Sequence, residues 1–129
     1  MGEFYRKIPG IEAAAAGALG NELTFGFPAV LDVVVLCTAN EVAILGLELF
    51  EVRQEGYITK NYSLYDLEEN LRHGPSTKEG WAVYVNKNNT RADEFVRQYP
   101  AQERQVYILT ASSWEEFCDL KQPSPRSPR

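Results

Sequence analysis

The sequence predicts an α+β fold: a single domain in which a small four-stranded, mostly antiparallel sheet packs against about five helices. Segments with helical spacing alternate with runs of β-branched and aromatic residues, and the predicted strands are joined both by a hairpin turn and by helices. The length of 129 residues, with 44% apolar and 24% charged side chains, is typical of one globular domain with its own core.

Two helices are predicted in the first third of the chain. An Ala-rich segment between Pro9-Gly10 and Gly20-Asn21 has high helix propensity, which Gly17 weakens. The apolar segment Ala29–Ala39 follows a proline, which suits the first turn of a helix, and Asn40 can end it. Its three consecutive valines also fit a strand, but we favour the helix because another strand begins almost at once.

A β-hairpin is predicted in the middle of the chain. Val42–Val52 is rich in aliphatic residues, and a glycine-containing turn, Arg53–Gly56, separates it from a return strand, Tyr57–Lys60. Period-two alternation predicts two faces for the first strand, with Leu45, Leu47 and Leu49 on one and Ile44 and Phe50 on the other. Gly46 within this strand indicates a bulge or close packing.

A capped helix is predicted directly after the hairpin. Ser63 is a suitable N-cap residue, and leucines recur with helical spacing at positions 64, 67 and 71. The sequence His73-Gly74-Pro75 would end this helix.

The last third of the chain predicts two further strands and two further helices. Strands are predicted at Trp81–Asn86 and Arg104–Ala111, and a helix capped by its first residue at Thr90–Tyr99. Ser113 and Glu116 have the spacing of a capping box, which opens the closing helix. The side chains expected to be largely buried are Phe95, Val96, Tyr107, Leu109, Trp114 and Phe117.

The last nine residues, 121–129, differ in composition from the rest. They contain three prolines and three basic residues but no carboxylate. Such a segment cannot bury apolar surface, so we expect a disordered tail after a domain at residues 1–120. Without the tail, the domain has 10 basic and 18 acidic side chains, a net charge of −8.

Charge and residue usage exclude several classes of function. A pI near 4.9 argues against direct binding of nucleic acid or of an anionic membrane. One histidine and two cysteines are too few for a usual Cys/His zinc site or a disulfide scaffold. His73 is predicted in the last turn of a helix, where it serves the dipole and the carbonyl groups. We therefore predict no catalytic residue, no cofactor and no metal.

The chain is predicted to be cytoplasmic. No apolar signal-peptide core follows the basic residues near its start. The longest apolar run, Ala29–Ala39, is too short to cross a bilayer and contains Asp32. Cys37 and Cys118 lie among apolar residues and are interpreted as packed, reduced thiols.

The predicted helix after Ser63 offers a candidate partner-binding surface. Its leucines would face inward, which leaves tyrosine and carboxylate side chains on the outer face. This makeup suits a site for a basic protein partner, although a solvated helix face has the same appearance. The predicted partner-binding residues are Tyr62, Tyr65, Asp66, Glu68 and Glu69. The second choice is the hairpin, through Glu48, Glu51 and Glu55.

The segment from Pro28 to Tyr62 resembles a family of small bacterial immunity proteins of polymorphic toxin systems. It contains an apolar helix, the strand sequence Asn40-Glu41-Val42-Ala43-Ile44-Leu45-Gly46-Leu47-Glu48-Leu49-Phe50, a glycine hairpin and the return strand Tyr57-Ile58-Thr59-Lys60-Asn61-Tyr62. Two features depart from the family: Leu47 stands where members tend to have a second glycine, and Ser63 onward lacks their tryptophan. The resemblance implies a non-enzymatic α+β protein that acts by binding.

These observations together predict an immunity-type protein that neutralises a cognate toxin domain by stoichiometric binding. The acidic domain would suit a basic toxin, of which a nuclease is one example. A small enzyme that uses carboxylates, with or without a divalent metal, is the first alternative. A regulatory module that self-associates through a strand edge is the second.

Overall fold

The computed structural model of the protein describes residues 3–53, 56–63 and 74–121. Within these residues the helices are α1 (Glu3–Arg6), α2 (Ile11–Ala14), α3 (Ala29–Ala39), α4 (Trp81–Gln98) and α5 (Trp114–Lys121). The strands are β1 (Gly17–Leu19), β2 (Glu22–Thr24), β3 (Ala43–Arg53), β4 (Gly56–Ser63) and β5 (Gln105–Ser112). A 3-10 turn, Lys78–Gly80, leads into α4. The predicted helix after Ser63 and, beyond Lys121, the predicted tail lie outside the described residues.

Two antiparallel sheets form in place of the predicted one. The larger sheet has the strand order β4-β3-β5, and the smaller sheet is the β1–β2 hairpin. The α+β class is therefore confirmed, whereas the prediction of a single four-stranded sheet is wrong.

The prediction of a strand at Trp81–Asn86 is wrong, because α4 runs through this segment and past the predicted cap Thr90. The valines and aromatic residues of the segment favour a strand locally. Trp81 and Val85, however, lie one helical turn apart and are both buried. The buried stripe of the helix continues through Ala92, Phe95 and Val96. Burial of this whole stripe outweighs the local β preference.

The Ala-rich segment is helical for only one turn. After α2 the backbone is extended from Ala15, and β1 then pairs with β2 across a two-residue turn. Gly20 lies in this turn with φ of 60°, a conformation that glycine adopts without penalty. The hairpin is favoured over a longer helix because β2 leads into Phe25, which exchanges two backbone hydrogen bonds, of 3.0 and 2.7 Å, with Tyr107 of β5.

A β-bulge at Leu45 changes the predicted faces of β3. The register between β3 and β5 shifts between Ile44 and Gly46, so Leu45 is an extra residue. Ile44 therefore shares an apolar cluster with Leu47 and Leu49, while Leu45 packs in a second cluster. The bulge that Gly46 indicated is confirmed, but the simple alternation of faces is wrong.

The buried apolar residues form two clusters, and α4 contributes to both. The larger cluster contains residues of α3, β2, β3, β5 and the C-terminal half of α4. The second consists of Ala43, Leu45, Trp81, Val85 and Phe117, with Tyr84 and Trp114 packed at its edge. Five of the six side chains predicted to be largely buried are buried. Trp114 is only half-buried, because it lies at the edge of the second cluster.

Several local predictions are confirmed. The segment Ala29–Ala39 is helical, and Asn40 ends it, with its side-chain amide donating to the carbonyl of Leu36 at 2.8 Å. The capping box forms as predicted: the backbone N–H of Ser113 donates to Glu116 Oε1 at 3.0 Å, and the N–H of Glu116 donates to Ser113 Oγ at 3.3 Å. These segments carry strong local signals that agree with their tertiary surroundings.

No helix among the described residues has both the length and the apolar character needed to cross a membrane. The apolar helix α3 has 11 residues, and the longer α4 is polar along one side.

Candidate partner-binding surface

The predicted partner-binding residues lie at the boundary of the described chain. Tyr62 is the penultimate residue of β4, and its backbone pairs with Leu49 of β3. Tyr65, Asp66, Glu68 and Glu69 lie outside the described residues. The assignment of these five residues to a partner site therefore stays a prediction.

The second predicted surface consists of the hairpin carboxylates, which differ in exposure and in hydrogen bonding. Glu48 is exposed on β3. Glu51 is partly buried, and its Oε2 accepts a hydrogen bond from Nε of Arg53 at 3.0 Å. Glu55 lies outside the described residues. An exposed pair such as Glu51–Arg53 contributes little to stability, about 0–1 kcal/mol.

A shallow groove of about 410 Å³ runs between α3 and α4. Val35 and Ala39 form its apolar side, and Thr90 and Asp93 lie on its α4 side. Val35 is 66% exposed, although it belongs to the most apolar helix of the chain. Asp93 Oδ2 accepts a hydrogen bond from Arg97 Nε at 2.9 Å, so the charge beside the groove is partly neutralised. The groove is therefore an apolar surface with little net charge.

The base of this groove is fixed by Asn89, a buried residue that lies between the strand predicted at Trp81–Asn86 and the helix predicted from Thr90. Its Nδ2 donates to Thr38 Oγ1 and to the carbonyl of Val42, both at 2.9 Å. Its Oδ1 accepts from the backbone N–H of Ile44, also at 2.9 Å. One amide therefore joins α4 to the end of α3 and the start of β3, which makes Asn89 a structural residue.

A smaller cavity of about 90 Å³ opens where α1, the end of α3 and the start of α5 meet. We call it the aromatic–acidic pocket, and its walls include Phe4, Glu41, Lys78, Trp81, Trp114 and Glu115. Phe4 is 45% exposed and Trp114 is half-buried, so two aromatic rings are accessible beside two exposed carboxylates. Accessible aromatic residues beside carboxylates are found at protein-binding surfaces.

Trp81 is the fixed, buried wall of the pocket. Its ring centroid lies 5.4 Å from that of Trp114 and 5.0 Å from that of Phe117. Its indole Nε1 donates to the backbone carbonyl of Glu41 at 2.7 Å. The aromatic packing and this hydrogen bond hold the start of α4, the end of α3 and the start of α5 in one arrangement.

Glu41 occupies a backbone conformation that favours glycine. It follows the C-cap residue of α3 and has φ of 58°, in the left-handed region. A side chain with a Cβ costs about 1 kcal/mol or more there. A glutamate at this position therefore lowers stability while it places an exposed carboxylate at the pocket, and such strain is typical of functional positions.

Glu116 holds in place the segment of α1 that contains Phe4, one of the residues that line the pocket. One of its carboxylate oxygens belongs to the capping box of α5. The other, Oε2, accepts from the backbone N–H groups of Glu3 and Phe4, at 3.1 and 3.2 Å. Because one carboxylate serves the first turns of both α1 and α5, Phe4 is held beside Trp114.

The buried ionisable groups belong to the core and stay protonated at neutral pH. Burial, and to a smaller extent the charge of Glu22, raises the pKa of Tyr5 to about 12. Burial likewise raises the pKa of the Cys37 thiol and of Tyr107 to about 12 each. Across residues 3–53, 56–63 and 74–121, no three His, Cys, Asp or Glu side chains are placed to hold a metal ion.

Sequence reasoning missed the aromatic–acidic pocket. Its residues come from positions 4, 40–41, 78, 81 and 113–115, and no periodicity links segments so far apart. The capping box was the one available signal, because it fixes Trp114 and Glu115 in the exposed first turn of α5. Nothing in the sequence shows that Glu116 also binds the backbone of residues 3 and 4.

Comparisons of the chain with protein-family models, with curated proteins and with solved structures found no match. The resemblance to immunity proteins therefore depends on the quoted residues alone.

Proposed function

We propose that this protein is an immunity-type inhibitor that neutralises a toxin domain in the cytoplasm by stoichiometric binding, without catalysis of its own. The aromatic–acidic pocket is the observation that carries the proposal. Phe4 and Trp114 supply accessible apolar area, and Glu41 and Glu115 supply negative charge at the same place. Aromatic contacts surrounded by charge are the usual composition of a binding surface for another protein.

The overall charge supports a basic partner. The chain has a net charge of −5, and the residues before the predicted tail are more acidic still. An acidic surface attracts a basic domain over long range and competes with phosphate for its binding site. A toxin that cleaves nucleic acid is a partner with such a basic site. The resemblance of the segment from Pro28 to Tyr62 to immunity proteins also supports a toxin domain as the partner.

The test uses the C-terminal domain of the protein encoded immediately upstream. Calorimetry of the two purified proteins should give one-to-one binding, and co-expression should protect cells that the domain otherwise kills. Because charge attraction is screened by salt, association should slow as ionic strength rises. Absence of binding together with absence of protection would contradict the proposal.

Charge-reversal variants test whether the aromatic–acidic pocket is the contact surface. Glu41→Lys with Glu115→Lys should slow association by about tenfold at low salt, because both charges lie at the proposed contact. The control, Glu12→Lys with Glu103→Lys, changes the net charge equally at two other exposed positions. An equal effect of both pairs would show that only net charge matters. A larger effect of reversing Glu68 and Glu69 would favour the surface predicted from the sequence.

A further inference from the structure

We infer that the aromatic–acidic pocket receives the guanidinium group of one arginine side chain of the partner. This inference rests on the proposed function, because it names the chemical group by which the partner would be recognised at the same surface. It is carried by the size of the cavity, its accessible ring and its two carboxylates.

The dimensions and the ring suit a planar cation. The cavity volume of about 90 Å³ is smaller than a cavity of about 150 Å³ that holds a benzene ring, so it suits a group no larger than a guanidinium. Trp114 is half-buried at the wall and is held 5.4 Å from Trp81 between ring centroids. A fixed indole is the best aromatic partner for a cation that stacks on it.

The carboxylates approach from two different elements. Glu41 follows the end of α3, and Glu115 lies in the first turn of α5. Both side chains are exposed, and within the described part of the chain neither forms an ion pair. Two separate carboxylates match the several N–H donors of a guanidinium, which point in different directions in its plane.

Lys78 also lines the pocket, and its charge affects which cation binds there more tightly. Its ammonium repels any incoming positive charge, so the entering group must gain more than charge attraction alone. Arginine is less strongly hydrated than lysine, stacks on rings and forms paired hydrogen bonds with carboxylates. We therefore expect arginine to be preferred over lysine, and Lys78→Met to strengthen binding.

The probe is arginine amide, with citrulline amide as the neutral isostere and lysine amide as the second cation. The protein has two tryptophans, so the indole N–H signals of Trp114 and Trp81 can be followed separately by NMR. Arginine amide should shift the Trp114 signal to saturation in the millimolar range, and lysine amide should bind more weakly. Equal shifts with citrulline amide would overturn the inference.

Paired variants remove the charges without removing the fold. Glu41→Gln with Glu115→Gln should weaken arginine amide binding by up to about tenfold, which corresponds to the loss of two exposed charge pairs. Glu12→Gln with Glu103→Gln is the control and should leave binding unchanged. Unchanged affinity in the pocket variant would overturn the inference.

The same variants separate this inference from the proposed function. A toxin domain that binds the pocket variant and the parent equally well would leave an inhibitor that binds elsewhere, and the arginine site would be wrong. Arginine amide binding at the pocket without any binding to the upstream domain would instead contradict the proposed function.

Discussion

At the scale of single residues, two buried tyrosine hydroxyls have opposite surroundings. The hydroxyl of Tyr107 accepts from the backbone N–H of Ala101 at 2.7 Å and donates to the carbonyl of Tyr99 at 2.6 Å. The hydroxyl of Tyr5 is buried and has no hydrogen-bond partner among the described residues. Since a buried polar group without a partner costs about 1–3 kcal/mol, the two hydroxyls should affect stability with opposite sign.

Removal of each hydroxyl tests this difference. Tyr5→Phe should raise the free energy of unfolding by about 1 kcal/mol, because it removes a desolvated group that binds nothing. Tyr107→Phe should lower it by about 1–2 kcal/mol, because it removes the hydrogen bonds that this hydroxyl forms with two backbone groups. Urea denaturation of both variants at neutral pH measures the effect. Destabilisation by Tyr5→Phe would show that its hydroxyl has a partner in solution.

Two residues with positive φ allow a second pair of substitutions to be compared. Glu41 and Arg104, with φ of 58° and 68°, should each become less strained as glycine. Glu41→Gly and Arg104→Gly should therefore each stabilise the protein by about 0.5–1 kcal/mol, after the added freedom of the unfolded chain is subtracted. Thermal denaturation measures this gain. Only Glu41→Gly should also weaken partner binding; unchanged binding would leave its carboxylate without the proposed role.

At the scale of elements, local sequence signals predicted an element correctly where tertiary packing agreed with them. The proline before α3 and the capping box of α5 are such cases. α4 is the opposite case. Its first six residues have the composition of a strand, and asparagine, the residue type at the buried position 89, is more common in loops than inside helices. Gly46 indicated a bulge or close packing, but neither the changed faces of β3 nor the short β1–β2 hairpin could be predicted, because both depend on contacts with the distant β5.

Gly74 has a packing role that the sequence does not indicate. The helix that it was predicted to end lies outside the described residues, and its own φ is not positive. A Cβ built at this position would overlap the ring of Phe117 in the second cluster. The absence of a side chain at Gly74 therefore allows close packing against α5.

Alanine substitution tests this close packing. Gly74→Ala should destabilise the protein by about 1–3 kcal/mol, because the ring of Phe117 is itself buried and must shift. Gly26→Ala is the control, since nothing lies within 4 Å of the added carbon and its φ is not positive. Chemical denaturation of both variants measures the difference. Equal stability of the two would contradict the close contact.

At the scale of the whole molecule, the class of fold was predictable, but the architecture and the pocket were not. Composition and periodicity indicate how much helix and strand a chain contains, which yields the α+β class. The arrangement of Phe4, Glu41 and Trp114 around one cavity is set by contacts between distant segments. One of these contacts, from Glu116 to the backbone of residues 3 and 4, has no local signature.

The stability of the whole molecule should fall at alkaline pH. The pKa values of Cys37, Tyr5 and Tyr107 rise from 9.0, 10.0 and 10.0 to about 12 on folding. Below about pH 9 these groups are neutral in both states, so their full contribution is present. As pH rises towards 12, the unfolded state loses its protons first and is favoured.

Denaturation midpoints at a series of pH values measure this loss. The free energy of unfolding should decrease progressively from about pH 9, and Tyr5→Phe should reduce the slope above pH 10, because one raised pKa is removed. A slope unchanged by Tyr5→Phe would show that this tyrosine ionises equally well in both states.

The double role of Glu116 also has a consequence for synthesis. The backbone N–H groups of Glu3 and Phe4 receive their acceptor from a residue more than 110 positions later. On a ribosome, where the N-terminal part emerges first, these N–H groups can bond only to water until α5 has been made. Phe4 can reach its place beside Trp114 only then, so the pocket is among the last features to assemble. A nascent chain would therefore form the aromatic–acidic pocket only after α5 has been synthesised.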